Sequence, residues 1–140
     1  MTGFIITTKN NDIVRFGYYT EAAPVTVAAF DQQLPFTRIF FHTMVSGQEF
    51  WDVDEAPVLD IIQENASVFI LPGEVVIGPL RPDRTKTSGC MGVYYGHGKG
   101  LDCCNIFAKV FDEDIALLKN LGESIWKNGE QELRFEKNAT

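Results

Sequence analysis

The chain has 140 residues, of which 45% are hydrophobic and 22% charged, as expected for one globular domain that forms its core without metal or disulfide staples. Its formal charge is -7, from 12 Lys and Arg against 19 Asp and Glu, and the cationic residues are scattered, which argues against nucleic acid as a partner. No apolar run reaches membrane-spanning length and no signal-peptide pattern opens the chain, so we expect a cytoplasmic protein without a membrane partner.

The cysteines and histidines give no sign of a metal or of a disulfide framework. Cys90, Cys103 and Cys104 make an odd count without a Cys-x-x-Cys pair, and His42 and His97 lie far apart without a ligand motif. The sequence therefore predicts no metal site and no cofactor.

The apolar pattern predicts about eight short strands. They are expected at residues 4–8, 13–19, on both sides of a turn at 46–48, and at 66–71, 74–78, 90–95, 103–111 and 130–137. Along residues 90–95, Cys90, Gly92 and Tyr94 should face one way, and Met91, Val93 and Tyr95 the other. The glycine-rich residues 96–100 are expected to form a flexible turn, because their spacing does not match a phosphate-binding loop.

Two helices are predicted, each with an apolar stripe. The first begins at Pro24 and is stopped by Pro35. The second is capped by Asp112, carries Ile115, Leu118 and Leu121 on its buried side, and is expected to end at Gly122. Short turns favour antiparallel pairing, and a closed barrel would remove exposed sheet edges, but periodicity alone does not separate a barrel from a sandwich.

Residues 40–51 are the most informative segment. They read as an aromatic-rich hairpin that places His42, Glu49 and Trp51 within a few residues of one another. The polar loop at residues 79–89 carries Arg81 and is a second place where function could reside.

Several short motifs together resemble the cyclophilins, the peptidyl-prolyl isomerases. The opening helix, at residues 23–27 followed by Phe30, and the strand at residues 105–110 are similar to segments of that family, and Phe41-His42 matches its Phe-His-Arg strand. The resemblance implies a mainly β fold, a closed eight-stranded antiparallel barrel capped by two α-helices. It is closer still to a bacterial cyclophilin-like family of uncharacterised function, whose pattern is matched by these segments: Leu34-Pro35, His42 with Ser46-Gly47, residues 64–66, residues 72–74 and residues 94–96.

One departure from the isomerase pattern bears on activity. Thr43 occupies the position of the arginine that this resemblance assigns to catalysis, and a short neutral side chain cannot present the same charged donor to a twisted amide. The family's tryptophan would fall in residues 96–100 and its histidine near Cys104 or Asn105, so neither has a counterpart. Efficient isomerase activity is therefore not expected unless Arg38, Arg81 or Arg84 replaces the missing group.

Three functions follow as hypotheses. The favoured one is small-molecule binding at the barrel face, by the following residues: His42, Thr43, Glu49, Trp51, Tyr94 and Arg81. These aromatic and polar groups could equally be packing residues, and His42 could be a half-buried barrel histidine instead of a base that has Glu49 as its partner. The alternatives are an isomerase with a relocated arginine and a homo-oligomeric interaction module.

Overall fold

A computed structural model describes residues 2–52, 56–83 and 85–138. The elements in chain order are β1 (Gly3–Thr7), β2 (Ile13–Tyr18), α1 (Pro24–Asp31), β3 (Phe36–His42), β4 (Gly47–Trp51), β5 (Ala66–Ile70), β6 (Glu74–Ile77), β7 (Met91–Val110), a short 3-10 turn (Asp112–Asp114), α2 (Ile115–Asn128) and β8 (Gln131–Lys137). The prediction of a mainly β chain with two helices is confirmed.

The strands form one closed antiparallel barrel. Six of them make the ring in the order β2, β1, β8, β3, β4, β7, and pairing between β7 and β2 closes it. The other two strands in the described residues, β5 and β6, also pair with β7, and β6 lies between its two halves. The barrel was expected to have eight strands, and the structure divides these into a ring of six and two that pair outside it.

The barrel interior is filled mainly by aromatic rings. Phe4 stacks on Phe16 with ring centroids 4.7 Å apart, and Phe36 stacks on Phe135 at 4.8 Å. Phe30 of α1 reaches this cluster and lies 4.9 Å from Phe4, which explains why the helix buries that side chain. Stacked and tilted pairs of this kind add to the stabilisation from apolar burial.

The first helix begins at the predicted residue. Pro24 is the first residue of α1, as predicted, and the backbone N–H groups of Val25 and Thr26 donate to the carboxylate of Glu64 at 3.4 and 2.6 Å. That carboxylate stabilises the positive end of the helix, which has no side-chain cap of its own.

The predicted end of α2 at Gly122 is wrong. The helix continues to Asn128, and Gly122 lies inside it against the Tyr95 ring, where a side chain would overlap that ring. Close packing therefore explains this glycine. The predicted cap at Asp112 is also wrong, since Asp112 lies in the 3-10 turn and α2 begins at Ile115, directly after Asp114. The Asp114 carboxylate pairs with Arg15 instead of capping the helix: the guanidinium Nε lies 2.8 Å from one carboxylate oxygen.

The predicted turn at residues 96–100 is also wrong. These residues belong to β7, which runs unbroken for 20 residues and pairs at Gly98 with both Gly47 and Ile70. A Cβ on Gly98 would meet the Tyr94 ring at 2.6 Å, so the glycine lets strand and ring approach each other.

Candidate functional site

The predicted site residues lie on two faces of the sheet. His42 pairs with Phe50, whose side chain is in the barrel core, whereas Glu49 is the preceding residue and faces outward. Glu49 in turn pairs with Tyr94, and Trp51 with Gly92, on that outer side. His42 and Glu49 therefore do not form the pair that the hairpin pattern suggested.

The larger cavity in this region, which we call the α2 cleft, lies between α2 and the turn that joins β3 to β4. It has a volume of about 510 Å³ and an apolar wall with several polar groups. It is lined by His42, Thr43, Met44, Gly47, Gln48, Tyr95, Glu123, Trp126 and Lys127. Binding pockets for small molecules typically span about 300–1,000 Å³.

His42 is held in one orientation at the wall of the α2 cleft. Its Nδ1 lies 2.7 Å from the carbonyl oxygen of Thr43, and its Nε2 lies 2.7 Å from the hydroxyl of Tyr95. A carbonyl only accepts, so in the neutral ring Nδ1 carries the proton and Nε2 accepts from Tyr95. The partner of His42 is thus Tyr95, which shares the inward face of β7 with Val93.

The indole of Trp126 forms the aromatic wall of the cleft. It is 57% exposed, and the His42 ring packs against it at a centroid separation of 4.6 Å and an interplanar angle of 60°. Met44, which is 83% exposed, contributes a second apolar side chain. An apolar ligand surface could therefore be covered from two sides.

Glu123 and Lys127 bring one charge of each sign to the same cavity. In the part of the chain that the structure describes, neither takes part in an ion pair or a side-chain hydrogen bond. Burial, and to a smaller extent the negative charge of Glu123, raises the pKa of Tyr95 above its usual value, so its hydroxyl stays protonated and can donate to His42.

A second, much smaller cavity lies on the outer face and is called the outer recess. It has a volume of about 30 Å³, enough for one water molecule, and lies where β5 covers β4 and β7. Its walls include Ser46, Glu49, Trp51, Ser67, Ile70, Val76, Tyr94, Gly100, Leu101, Asp102 and Cys104.

Glu49 is the most strongly buried carboxyl of the outer recess. Its side chain accepts a hydrogen bond from the Ser46 hydroxyl, and its residue exposure is 5%. Burial raises its pKa to about 7, although the hydrogen bonds from Ser46 and Tyr94 act in the opposite direction. The group therefore changes charge near neutral pH.

Thr43 links the two cavities. Its side chain is buried, and its hydroxyl lies 2.7 Å from Ser46 Oγ, the same hydroxyl that donates to Glu49. The turn between β3 and β4 is thus a common wall of the α2 cleft and the outer recess.

Two of the three arginines considered as replacements form ion pairs outside the two cavities. The guanidinium of Arg38 pairs with the buried carboxylate of Asp52 at 2.9 Å and lies 3.7 Å from the Phe36 ring centroid. Arg81 pairs with Asp60 at 2.9 Å beside a separate surface cavity, so it is not part of either site described above. Arg84 lies outside the described residues.

The thiols and acidic groups offer little else for chemistry. Cys90, Cys103 and Cys104 form no disulfide within the described residues, and burial raises the pKa of Cys104 to about 12, which makes it a poor nucleophile. Within residues 2–52, 56–83 and 85–138, no three His, Cys, Asp or Glu side chains are grouped as ligands for a metal ion. The described helices are all too short or too polar to cross a membrane.

The closed barrel with its two helices has a cyclophilin-like fold. The chain belongs to a family described as a protein of unknown function, DUF3830, whose model matches residues 8–137. No curated protein matches it significantly.

Solved structures agree with the fold assignment. The chain is similar to McbB in complex with tryptophan (TM-score 0.77, 19% identity), covering 98% of this chain and 45% of that one. It is also similar to the hypothetical protein AF2241 from Archaeoglobus fulgidus, with a TM-score of 0.65 and 13% identity, covering 98% of this chain and 95% of that one. A Cryptosporidium parvum cyclophilin-type isomerase in the presence of the dipeptide Ala-Pro matches with a TM-score of 0.58 and 13% identity, covering 99% of both chains. This chain thus spans less than half the length of McbB, and identities this low show the fold alone.

Sequence reasoning missed seven of the nine residues that line the α2 cleft. Met44, Gly47 and Gln48 lie in the hairpin segment that the sequence singled out, whereas the other four lie elsewhere. Tyr95 could have been found from its alternation with Tyr94, because it shares a face with Val93. Glu123, Trp126 and Lys127 follow the 3-4 spacing of one helix face, but they lie beyond Gly122, where the helix was expected to end.

Proposed function

We propose that this protein binds a small molecule in the α2 cleft. The observation that carries the proposal is a cavity of about 510 Å³ in which an exposed indole, an oriented His-Tyr pair and two opposite charges converge. Largely apolar walls with a few placed polar groups are typical of small-molecule sites. McbB, a protein of similar fold, is described in complex with tryptophan, which supports small-molecule binding by a barrel of this kind.

Ligand-observed NMR with a library of small aromatic and aliphatic compounds tests the proposal. Trp126→Ala should abolish binding of compounds that occupy the cleft, since it removes the aromatic wall. Leu117→Ala is the matched control, because it shortens another partly exposed apolar side chain of α2 that does not line the cleft. The proposal is wrong if no compound binds, or if every compound that binds the original chain also binds the Trp126→Ala variant equally well.

The outer recess is proposed as an adjoining part of the binding face, with Glu49, Trp51 and Tyr94 as the sequence suggested. Its volume suits a water molecule or one small polar group, not a whole ligand. Arg81 is not included, because its side chain pairs with Asp60 beside another cavity.

We also propose that the protein is not an efficient prolyl isomerase. Thr43 is 3% exposed and its hydroxyl is bonded to Ser46, while Arg38 and Arg81 are paired with carboxylates. Loss of one preorganised donor typically lowers a rate by about a hundredfold or more. A proline-peptide isomerisation assay should therefore show no acceleration over buffer, and acceleration comparable to that by an active cyclophilin would contradict the proposal.

Self-association is a second candidate function, favoured by exposed apolar side chains around β5. Phe69 is 73% exposed, and Leu71 and Leu101 are also exposed. Since β5 pairs with β7 on one side only, a second copy could cover this region and the open strand edge. Sedimentation velocity at micromolar concentration should detect a dimer that Phe69→Glu dissociates; a monomer throughout this range would contradict it.

A further inference from the structure

The charges of the α2 cleft have an arrangement that bears on ligand chemistry. Glu123, Trp126 and Lys127 occupy positions i, i+3 and i+4 of α2, so they share one face of the helix. A Glu four residues before a Lys ordinarily forms an ion pair along the helix surface. Here the two charged groups are not within 4 Å of each other, and both line the cavity.

The other walls show what kind of group could lie between these charges. Trp126 and Met44 provide exposed apolar surface, and the His42 ring supports the indole from one side. His42 and Tyr95 are hydrogen-bonded to each other at 2.7 Å, so these two polar atoms are already engaged within the protein. The cleft therefore offers one anionic group, one cationic group and an apolar wall.

We propose that the ligand of the α2 cleft is a zwitterionic α-amino acid with an aromatic or large aliphatic side chain. Glu123 would bind its ammonium group, Lys127 its carboxylate, and Trp126 with Met44 its side chain. The Cβ atoms of two residues at i and i+4 are about 5–6 Å apart, so two flexible side chains can reach the neighbouring ammonium and carboxylate of one α-carbon. An amine or an acid alone leaves one of the two protein charges without a partner.

This inference rests on the proposed binding function and narrows it to one ligand class. Its simplest alternative is that Glu123 and Lys127 are solvated surface charges that do not influence binding, as exposed charges commonly are. The two cases differ in which ligands respond to which substitution.

The test uses three probes of nearly equal size: phenylalanine, phenethylamine and 3-phenylpropionate. Titration calorimetry or ligand-observed NMR at low ionic strength compares their affinities for the original chain, Glu123→Gln and Lys127→Gln. Phenylalanine should bind the original chain about two- to fivefold more tightly than either analogue, a range set by the modest strength of exposed charge pairs.

The variants should separate the two charged groups. Glu123→Gln should weaken phenylalanine and phenethylamine by about fivefold and leave 3-phenylpropionate unchanged or tighter, and Lys127→Gln should show the converse pattern. Lys9→Gln is the control: it removes an exposed positive charge from the turn between β1 and β2, at a residue that does not line the cleft. It should preserve the order of the three affinities.

Two results would overturn the inference. If all three probes bind equally, or if both variants change all three affinities by the same factor, the charges do not recognise a zwitterion. In either case the proposed function stands as long as Trp126→Ala abolishes binding of compounds in the cleft. Failure of every compound to bind contradicts the proposed function itself.

Discussion

Replacing Glu49 with Gln should remove a large part of the pH dependence of folding stability. The carboxyl is buried in the outer recess, and burial raises its pKa from 4.5 to about 7. Between these two pH values the folded chain retains a proton that the unfolded chain has released. The free energy of unfolding must therefore fall as pH rises through this range.

The size of the effect follows from the two pKa values. Each pKa unit corresponds to about 1.36 kcal/mol, so the interval from 4.5 to about 7 corresponds to roughly 3 kcal/mol. This contribution is fully present below pH 4.5 and is lost as pH passes about 7. Gln preserves an oxygen that can accept a hydrogen bond from Ser46, but it does not ionise. Its contribution to the free energy of unfolding therefore does not change with pH.

Urea unfolding of the original chain and of Glu49→Gln at intervals between pH 5 and pH 8.5 measures the effect. The difference in unfolding free energy between the two should shift by about 2–3 kcal/mol in favour of Glu49→Gln as pH rises. Asp52, whose pKa burial raises to about 6, contributes equally to both proteins and cancels in the difference.

Glu132→Gln, which removes an exposed carboxyl from β8, is the control for the loss of one negative charge. A stability difference between the original chain and Glu49→Gln that is constant across this pH range would refute the reasoning. So would a difference that shifts toward the original chain at high pH, because burial would then not be the dominant effect on Glu49.

Three further predictions concern packing, a buried ion pair and thiol reactivity. Gly122→Ala should lower the thermal midpoint of unfolding, because the new methyl group overlaps the Tyr95 ring. This overlap costs about 1–3 kcal/mol, against roughly 1 kcal/mol gained in helix propensity. An increase in the midpoint, as expected for an unobstructed helix position, would show that the ring does not obstruct the methyl group. Arg38→Met leaves the carboxylate of Asp52 buried without its ion-pair partner. The free energy of unfolding, measured with denaturant, should therefore fall by about 3 kcal/mol. A loss below about 1 kcal/mol would indicate that water solvates the carboxylate. A thiol reagent should modify the exposed Cys103 rapidly, and the buried Cys90 and Cys104 only after unfolding, as followed by mass spectrometry. Rapid modification of all three would contradict the burial of Cys90 and Cys104.

Much of the fold could be predicted because local pattern and tertiary structure agree. Alternation in residues 90–95 correctly placed Tyr94 and Tyr95 on opposite faces, and Pro24 correctly marked the start of α1. The errors arose at glycines. Gly98 and Gly122 looked like turn and helix-end signals, but each has an aromatic ring packed where its side chain would be, and Gly98 also has the Ser46 carbonyl oxygen there.

The site was predicted less completely, for a related reason. His42, Glu49 and Trp51 are neighbours in sequence, but a strand reverses its side-chain direction at each residue, so the hairpin divides them between two faces. Trp126 is more than eighty positions from His42 along the chain and meets it only because α2 packs beside the barrel. No local pattern carries that information.

The position of β1 also affects when this chain can fold during its synthesis. β1 lies between β2 and β8 in the ring, and Phe4 pairs in register with both Phe16 and Lys137. A ribosome-bound chain that ends before β8 lacks both the closing partner of β1 and the Phe135 ring that stacks on Phe36 and Phe40. Its aromatic side chains would stay accessible to chaperones until β8 emerges from the exit tunnel, so the barrel should close only once that strand is available.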